Sequence, residues 1–480
     1  IVPKFVGCLV IFSIMMTSCN KNNKAISLDY TALDYTVLPT DVKKASDKKE
    51  LWVVTDKEFN DWFKSGKKSK DGIVKPANSI DFPVNNTNND FNKWSQQMFL
   101  WITSPKDSTI VLETPEFYTV SPPDSLGKRN LIQHPTTILK TASGVGKSDT
   151  EEGQATTNVL LASVGNGKDN SLVYYITYVN DVYAKFLQAG QIDSTGHPNY
   201  LFPTDTAGLN SIIAFAKSIG ETVKSPNTLA MELKTSWVDL ATIPLAKQSD
   251  YIKIWAEVPI FNRKSNTTWK NTGRTKKTQL GLVGMHVVGS VKEHPEMIWS
   301  TFEHQSNSPN LEYSYLDGAG KTQTNLPDTL SNWLFNSKST DKVYNKSHMK
   351  YEKENIIATK NNTISPSNTV RIHAFGNDDS DAEANSKIIA FNNSVRNQLS
   401  GDVRENYIFI GAIWTNDGKL PNTKLTNLRG NKYLANSTME TNAQGTIKNP
   451  EMGTNCFSCH STSLNPNTAF ALSHIYSEIV

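Results

Sequence analysis

Apolar residues recur at every second position through several stretches, the period of a half-buried strand. In residues 251–260, Ile252, Ile254, Ala256, Val258 and Ile260 share one face. In residues 229–237 the shared face is Leu229, Met231, Leu233, Thr235 and Trp237. Residues 280–291 are apolar on both faces, which predicts a central strand covered on either side. Residues 297–304, 312–316, 369–375 and 407–414 are further predicted strands. Gly/Asn-rich or basic loops separate them, as in an antiparallel sheet or sandwich.

Helical periodicity is rarer. Ser380 and Glu383 have capping-box spacing, and Ile388, Phe391, Val395 and Leu399 then share one face, so residues 381–399 are predicted helical. The acidic group Asp378, Asp379 and Asp381 lacks the spacing and glycine of a calcium loop, and negative charge at a helix start accounts for it. In residues 91–102, Phe91, Trp94, Met98 and Trp101 form an aromatic stripe, either core or the wall of a cofactor pocket. Residues 207–219 and 467–479 complete the helix set. The fold class is α+β: a mainly antiparallel sheet or sandwich core, a few packed helices, and a C-terminal segment integrated into the same domain.

Composition narrows the functional classes. The 480 residues are 38% hydrophobic and 20% charged, which excludes fibrous and wholly disordered chains. The net charge of +3 lacks the concentrated basic face of a nucleic-acid binder. The 4 cysteines are Cys8, Cys19, Cys456 and Cys459, two near each end and none between.

Near the N-terminus, Lys4 precedes the apolar residues 5–16, followed by Thr17, Ser18 and Cys19. That run is shorter than the roughly 20 residues of a membrane-spanning helix. The order resembles a bacterial lipoprotein signal, with Met16 where that pattern has Leu. The resemblance implies cleavage before Cys19 and lipidation of Cys19; an ordinary signal peptide cleaved nearby is the alternative. Residues 1–18 are then a signal and 19–50 a polar tether. Residues 51–445 form the large domain and 446–480 the C-terminal attachment segment. The implied location is the periplasmic side of a bacterial membrane, held by lipid.

Cys456-Phe457-Ser458-Cys459-His460 has the C-x-x-C-H spacing of covalent haem attachment. Two thiols one helical turn apart add to the haem vinyl groups, and the adjacent imidazole becomes the proximal iron ligand. A redox dithiol would sit in a thioredoxin-like βαβ setting, a zinc site needs about four ligands, and a plain disulfide leaves the His unexplained. One covalent haem c is therefore expected on Cys456, Cys459 and His460. Only residues 461–480 follow, so the haem is expected to pack against upstream residues. His474 in that tail reads as a surface residue. Gly144-Val145-Gly146-Lys147-Ser148 looks like the end of a phosphate-binding loop, but acidic residues follow it, and it reads as an ordinary loop.

Met231-Glu232-Leu233-Lys234-Thr235-Ser236-Trp237, Gly281-Leu282-Val283-Gly284-Met285-His286, Met297-Ile298-Trp299-Ser300-Thr301-Phe302-Glu303-His304 and Leu434-Ala435-Asn436-Ser437-Thr438-Met439-Glu440-Thr441 precede the C-x-x-C-H in this order. The set resembles a family of exported bacterial monohaem c-type cytochrome-like proteins, over about residues 91–470. The lipoprotein start and Asn/Lys-rich style are similar to those of Bacteroidota. The resemblance implies one haem and no particular reaction.

The group opposite His460 on the iron separates the functions. His286 shares an apolar strand face with Leu280, Leu282 and Val288, His304 ends a strand, and Met439 lies shortly before Cys456. These are the distal candidates, alongside an open site. His134, His197, His294, His348 and His373 have polar or loop contexts. A strong sixth ligand favours electron transfer, with a redox protein or a small-molecule oxidant or reductant as partner. The basic residues 263–277 are either a docking patch for an acidic redox partner or a solvated hairpin loop. An open site favours a haem enzyme, peroxidase-like or acting on a small ligand, or a haem-based sensor. The length, several times that of a small electron carrier, points towards an enzyme.

Overall fold

The computed structural model describes residues 33–44, 51–83, 86–121, 128–134, 159–164, 170–189, 201–327, 332–336, 343–422, 424–444, 455–460, 472, 473, 475 and 479. The signal, Cys8, Cys19, residues 144–148, His197, His474 and most of the predicted tail helix lie outside these.

One large antiparallel sheet of 11 strands organises the chain. Its strands are β1 (Phe117–Val120), β2 (Leu131–Gln133), β3 (Tyr174–Asn180), β4 (Met231–Asp239), β5 (Lys253–Asn262), β6 (Thr268–Val291), β7 (His294–His304), β8 (Met349–Glu352), β9 (Asn355–Ala358), β10 (Tyr407–Thr415) and β11 (Leu428–Gly430). The order across the sheet is β11-β10-β7-β6-β4-β3-β1-β2, with β5 and β9 pairing to β6 and β8 to β9. The main helices are α1 (Asp56–Trp62), α2 (Asn88–Ile102), α3 (Asp181–Gln188), α4 (Thr206–Ser218) and α5 (Ala382–Leu399). The predicted α+β, mainly antiparallel class holds. A second sheet packed as a sandwich is not what covers this one. Helices α2 and α5 do so, because their apolar stripes match the apolar strand face. Phe99 of α2 stacks on Phe302 at 4.3 Å, and Phe391 of α5 meets Phe409 at 5.3 Å. The stripe of Phe91, Trp94, Met98 and Trp101 is therefore core.

The strand β6 departs most from expectation. Its buried half, residues 280–291, is central as predicted, between β4 and β7. It also begins twelve residues earlier, at Thr268, and pairs with β5. The basic residues 268–277 are thus strand, and only 263–267 form the connection. Lys270, Arg274, Lys276 and Lys277 are exposed there, and such charge discourages further strand pairing. A register shift between Leu282 and Gly284 swaps the faces. Leu280 and Leu282 point towards α2, whereas His286 shares its face with Gly284 and Val288. The predicted common face of His286 with Leu280 and Leu282 is corrected by this bulge.

Three smaller corrections have local causes. Leu229 has a φ of 55° after a tight turn, so the strand starts at Met231. The helix cap is Asp381, accepting from the Ala384 amide, while Ser380 bonds Asp378. Residues 369–375 form no strand, because their backbone donors go to scattered partners: Thr369 to Phe335, Val370 to Asn345, Ile372 to Gln444. In addition, Tyr313–Leu316 pairs with Thr322–Asn325 as a separate hairpin.

The face of the sheet opposite α2 carries residues 434–444 and the C-x-x-C-H segment. Gly284 lets the loop settle there. A Cβ at Gly284 would meet Thr438 Oγ1 at 2.5 Å, Ser236 Oγ at 2.6 Å and Asn436 Oδ1 at 2.9 Å. Those atoms are held by the Ser236–Thr438 hydrogen bond of 2.6 Å and the Asn436–Thr301 bond of 2.8 Å, so they yield at a cost. Gly284→Ala should lower stability by about 1–3 kcal/mol in denaturant titration. Gly318→Ala, whose nearest neighbour is 3.4 Å away, should stay near wild type.

Candidate functional site

Asn455 starts a single helical turn, α6 (Cys456–Cys459): its amide donates to the Ser458 hydroxyl at 3.2 Å, and the Ser458 amide donates to the Asn455 carbonyl at 2.9 Å. Its side-chain amide also donates to the Lys432 carbonyl at 3.0 Å, tying the turn to the preceding loop. The His460 amide donates to Cys456 at 2.9 Å, closing the turn. Phe457 is fully buried with Trp299, Ile408 and Leu472, while Cys456 is half-buried. One turn spaces the two cysteines and turns the Phe457 anchor inward.

His460 is buried, and its Nδ1 lies 2.9 Å from the Leu472 carbonyl oxygen. A carbonyl only accepts, so Nδ1 carries the proton and the ring's coordinating lone pair is on Nε2. The ring packs on Trp299 at 4.4 Å, with the planes tilted by 43°. Trp299 is fixed in turn: its Nε1 donates to the Glu296 carbonyl at 3.0 Å, and its ring meets Phe457 at 5.8 Å. Beside Leu472, Ser473 donates to Glu232 at 2.7 Å and accepts from Tyr183 at 2.5 Å. The carbonyl that orients His460 is therefore anchored to β4 and α3. A metal-binding imidazole ordinarily donates its second N–H to an acceptor in this way, so the residues fit an axial-ligand role. Among the described residues no group of three or more His, Cys, Asp or Glu side chains could hold a metal ion.

The distal candidates have different fates. His304 is buried, stacked on Tyr251 at 3.8 Å, with Nε2 bonded to the Asp250 carbonyl at 3.1 Å and Nδ1 accepting from the Ser306 amide at 3.2 Å. Both nitrogens serve the backbone, so His304 is a core residue. Met439 is fully buried in a cluster with Leu334, Phe335 and Val283, apart from the cluster of Phe457. His286 lies on the face that carries Trp299: it pairs with Thr301, and its neighbour Val288 pairs with Trp299. Its Nε2 is 2.7 Å from Glu440 Oε1. Burial works to raise the Glu440 carboxyl, but the charge and hydrogen bond of His286, the Asn436 amide and Lys234 outweigh it and hold the group low. Elsewhere His294 pairs with Glu296 at 2.8 Å, His373 stacks on Tyr433, and His134 bonds Thr119.

Sequence reasoning placed Cys456, Cys459 and His460 together on one turn. It missed Trp299, Leu472 and Glu440, which act through contacts distant in the chain. The signal for Trp299 and Glu440 was their place within two of the ordered motifs, and Leu472 had none. The chain matches no protein-family model, no curated protein and no solved structure. Among the described residues no helix is long and apolar enough to cross a membrane.

Burial pushes the His304 ring from 6.5 down to about 3; the Asp250 carbonyl bond opposes the shift, and Arg396 and Lys247 add to it. The unfolded chain therefore takes up this proton first. The stability that the neutral ring contributes is complete above pH 6.5 and is lost as pH falls towards 3. The loss should run at about 1.4 kcal/mol per pH unit for this one group. Comparing denaturation of wild type with His304→Gln across that range should show a shallower acid slope in the variant.

Proposed function

We propose that the protein is an exported, lipid-anchored c-type cytochrome that carries one covalent haem and takes part in electron transfer. The observation that carries this reading is the Nδ1 hydrogen bond of His460 to the Leu472 carbonyl, directly after a C-x-x-C turn. It puts the proton on Nδ1, so that Nε2 is the nitrogen through which the ring would bind iron, and strengthens the ring as a donor. In this reading Cys456 and Cys459 hold the haem by thioether bonds and His460 is the proximal ligand. Trp299 and Phe457 wall that side and exclude water. When bound, haem supplies one-electron exchange at iron. Cys19 supplies the lipid anchor on the periplasmic side, and the attachment segment and the sheet make one domain.

A second reading, a haem enzyme with an open sixth position, is favoured by the engagement of His304 with backbone and of His286 with Glu440. Residues 20–480, produced with haem-maturation machinery, distinguish the two. Electron transfer predicts a low-spin spectrum in both redox states that carbon monoxide leaves unchanged. A high-spin spectrum that shifts with the gas would instead establish the open site. Replacing both Cys456 and Cys459 by Ala should abolish haem staining after denaturing electrophoresis; persistent stain would refute covalent attachment at this turn.

A further inference from the structure

A cavity of about 420 Å³ opens where β3, β4 and the far ends of β5 and β6 meet, away from the C-x-x-C-H turn. Its size suits a monosaccharide-sized ligand. We infer that this cavity binds a small hydroxylated carboxylate, of the uronic-acid type, through Arg263 and Tyr174.

The charge argues for an anion. Asp239 lines the cavity, but its carboxylate is spent: it accepts from Lys276 Nζ at 2.6 Å, from Thr278 Oγ1 at 3.0 Å and from the Ala241 amide at 3.1 Å. Asp239 and Lys276 thus cancel, and Arg263 is left as the uncompensated charge of the lining. Its guanidinium lies over the Trp269 ring at 4.5 Å and donates one N–H to the Asn170 carbonyl at 2.8 Å. Those two contacts hold the planar group in place while its other donors remain for a ligand. A preset guanidinium fork suits a carboxylate.

Two polar groups of the wall make no hydrogen bond. Tyr174 is 2% exposed, and its hydroxyl bonds no described residue. Burial pushes its ionisation well up, with Arg263 and Asp239 as its charged neighbours, so it stays a neutral donor. The Asn170 side-chain oxygen is buried without a partner, an acceptor suited to a ligand hydroxyl. Pro259, Ile260 and Phe261 complete the wall and offer apolar surface to a ring face. A donor pair for a carboxylate, an acceptor for a hydroxyl and an apolar wall together describe a sugar acid better than a neutral sugar or inorganic anion.

Binding is tested independently of the haem, by titration calorimetry of residues 20–480 with D-glucuronate and with D-glucose. Saturable glucuronate binding in the range of about 0.1–1 mM is expected, with glucose at least about tenfold weaker. Arg263→Gln and Tyr174→Phe should each weaken glucuronate about tenfold, with unchanged melting midpoints. The inference is overturned if glucuronate does not saturate below about 20 mM, if glucose binds equally well, or if neither substitution matters.

Discussion

A buried carboxylate, Glu303 on β7, governs how the C-terminal part of the chain meets the sheet. It has no solvent exposure. It accepts from the Ser437 amide at 2.6 Å and from the Ser437 hydroxyl, and pairs with Arg371 at 3.3 Å. Arg371 is itself buried and donates to Asn310, Thr36 and Ser308. A buried ion costs several kcal/mol unless every partner is in place. Displacing the loop at Ser437 would strip Glu303 of two donors at once. The network therefore selects a single docking of the loop, and Gly284 leaves the space for it.

The two faces of the sheet divide the work. The face under α2 and α5 is a closed aromatic core, and Phe302 and Phe409 meet there at 5.3 Å. The opposite face is mixed. Trp299 and Val288 supply apolar surface for Phe457, while Glu232, His286 and Thr301 supply polar contacts for the segments above. One strand pair thus holds both the Trp299 wall beside His460 and the His286–Glu440 pair, two residues further along the same face. The β6 bulge makes that possible, because it turns His286 out of the apolar core.

Sheet composition was legible because alternation reports burial directly, as at Ile254, Ala256 and Val258 of β5. The bulge was not, since a one-residue slip leaves the apolar pattern of 280–291 intact while reversing its faces. The irregular run around Arg371 also misled. An extended, alternating segment looks like a strand whether its amides meet another strand or scattered side chains. The turn of Cys456, Cys459 and His460 was readable because attachment chemistry dictates its spacing. The surroundings of His460 were not, because Trp299 and Leu472 reach it only through the tertiary fold. His304 looked available in sequence and is consumed by backbone partners, which no spacing rule reveals.

The orientation of His460 is the point on which the functional reading turns. Nitrogen-15 and proton NMR of the reduced, diamagnetic protein observes that ring directly. The expected result is a proton on Nδ1, slow to exchange and close to the backbone of residue 472, with ring carbon-bound protons strongly shifted by an adjacent haem. A ring protonated on Nε2, or one that titrates freely with unshifted signals, would contradict it.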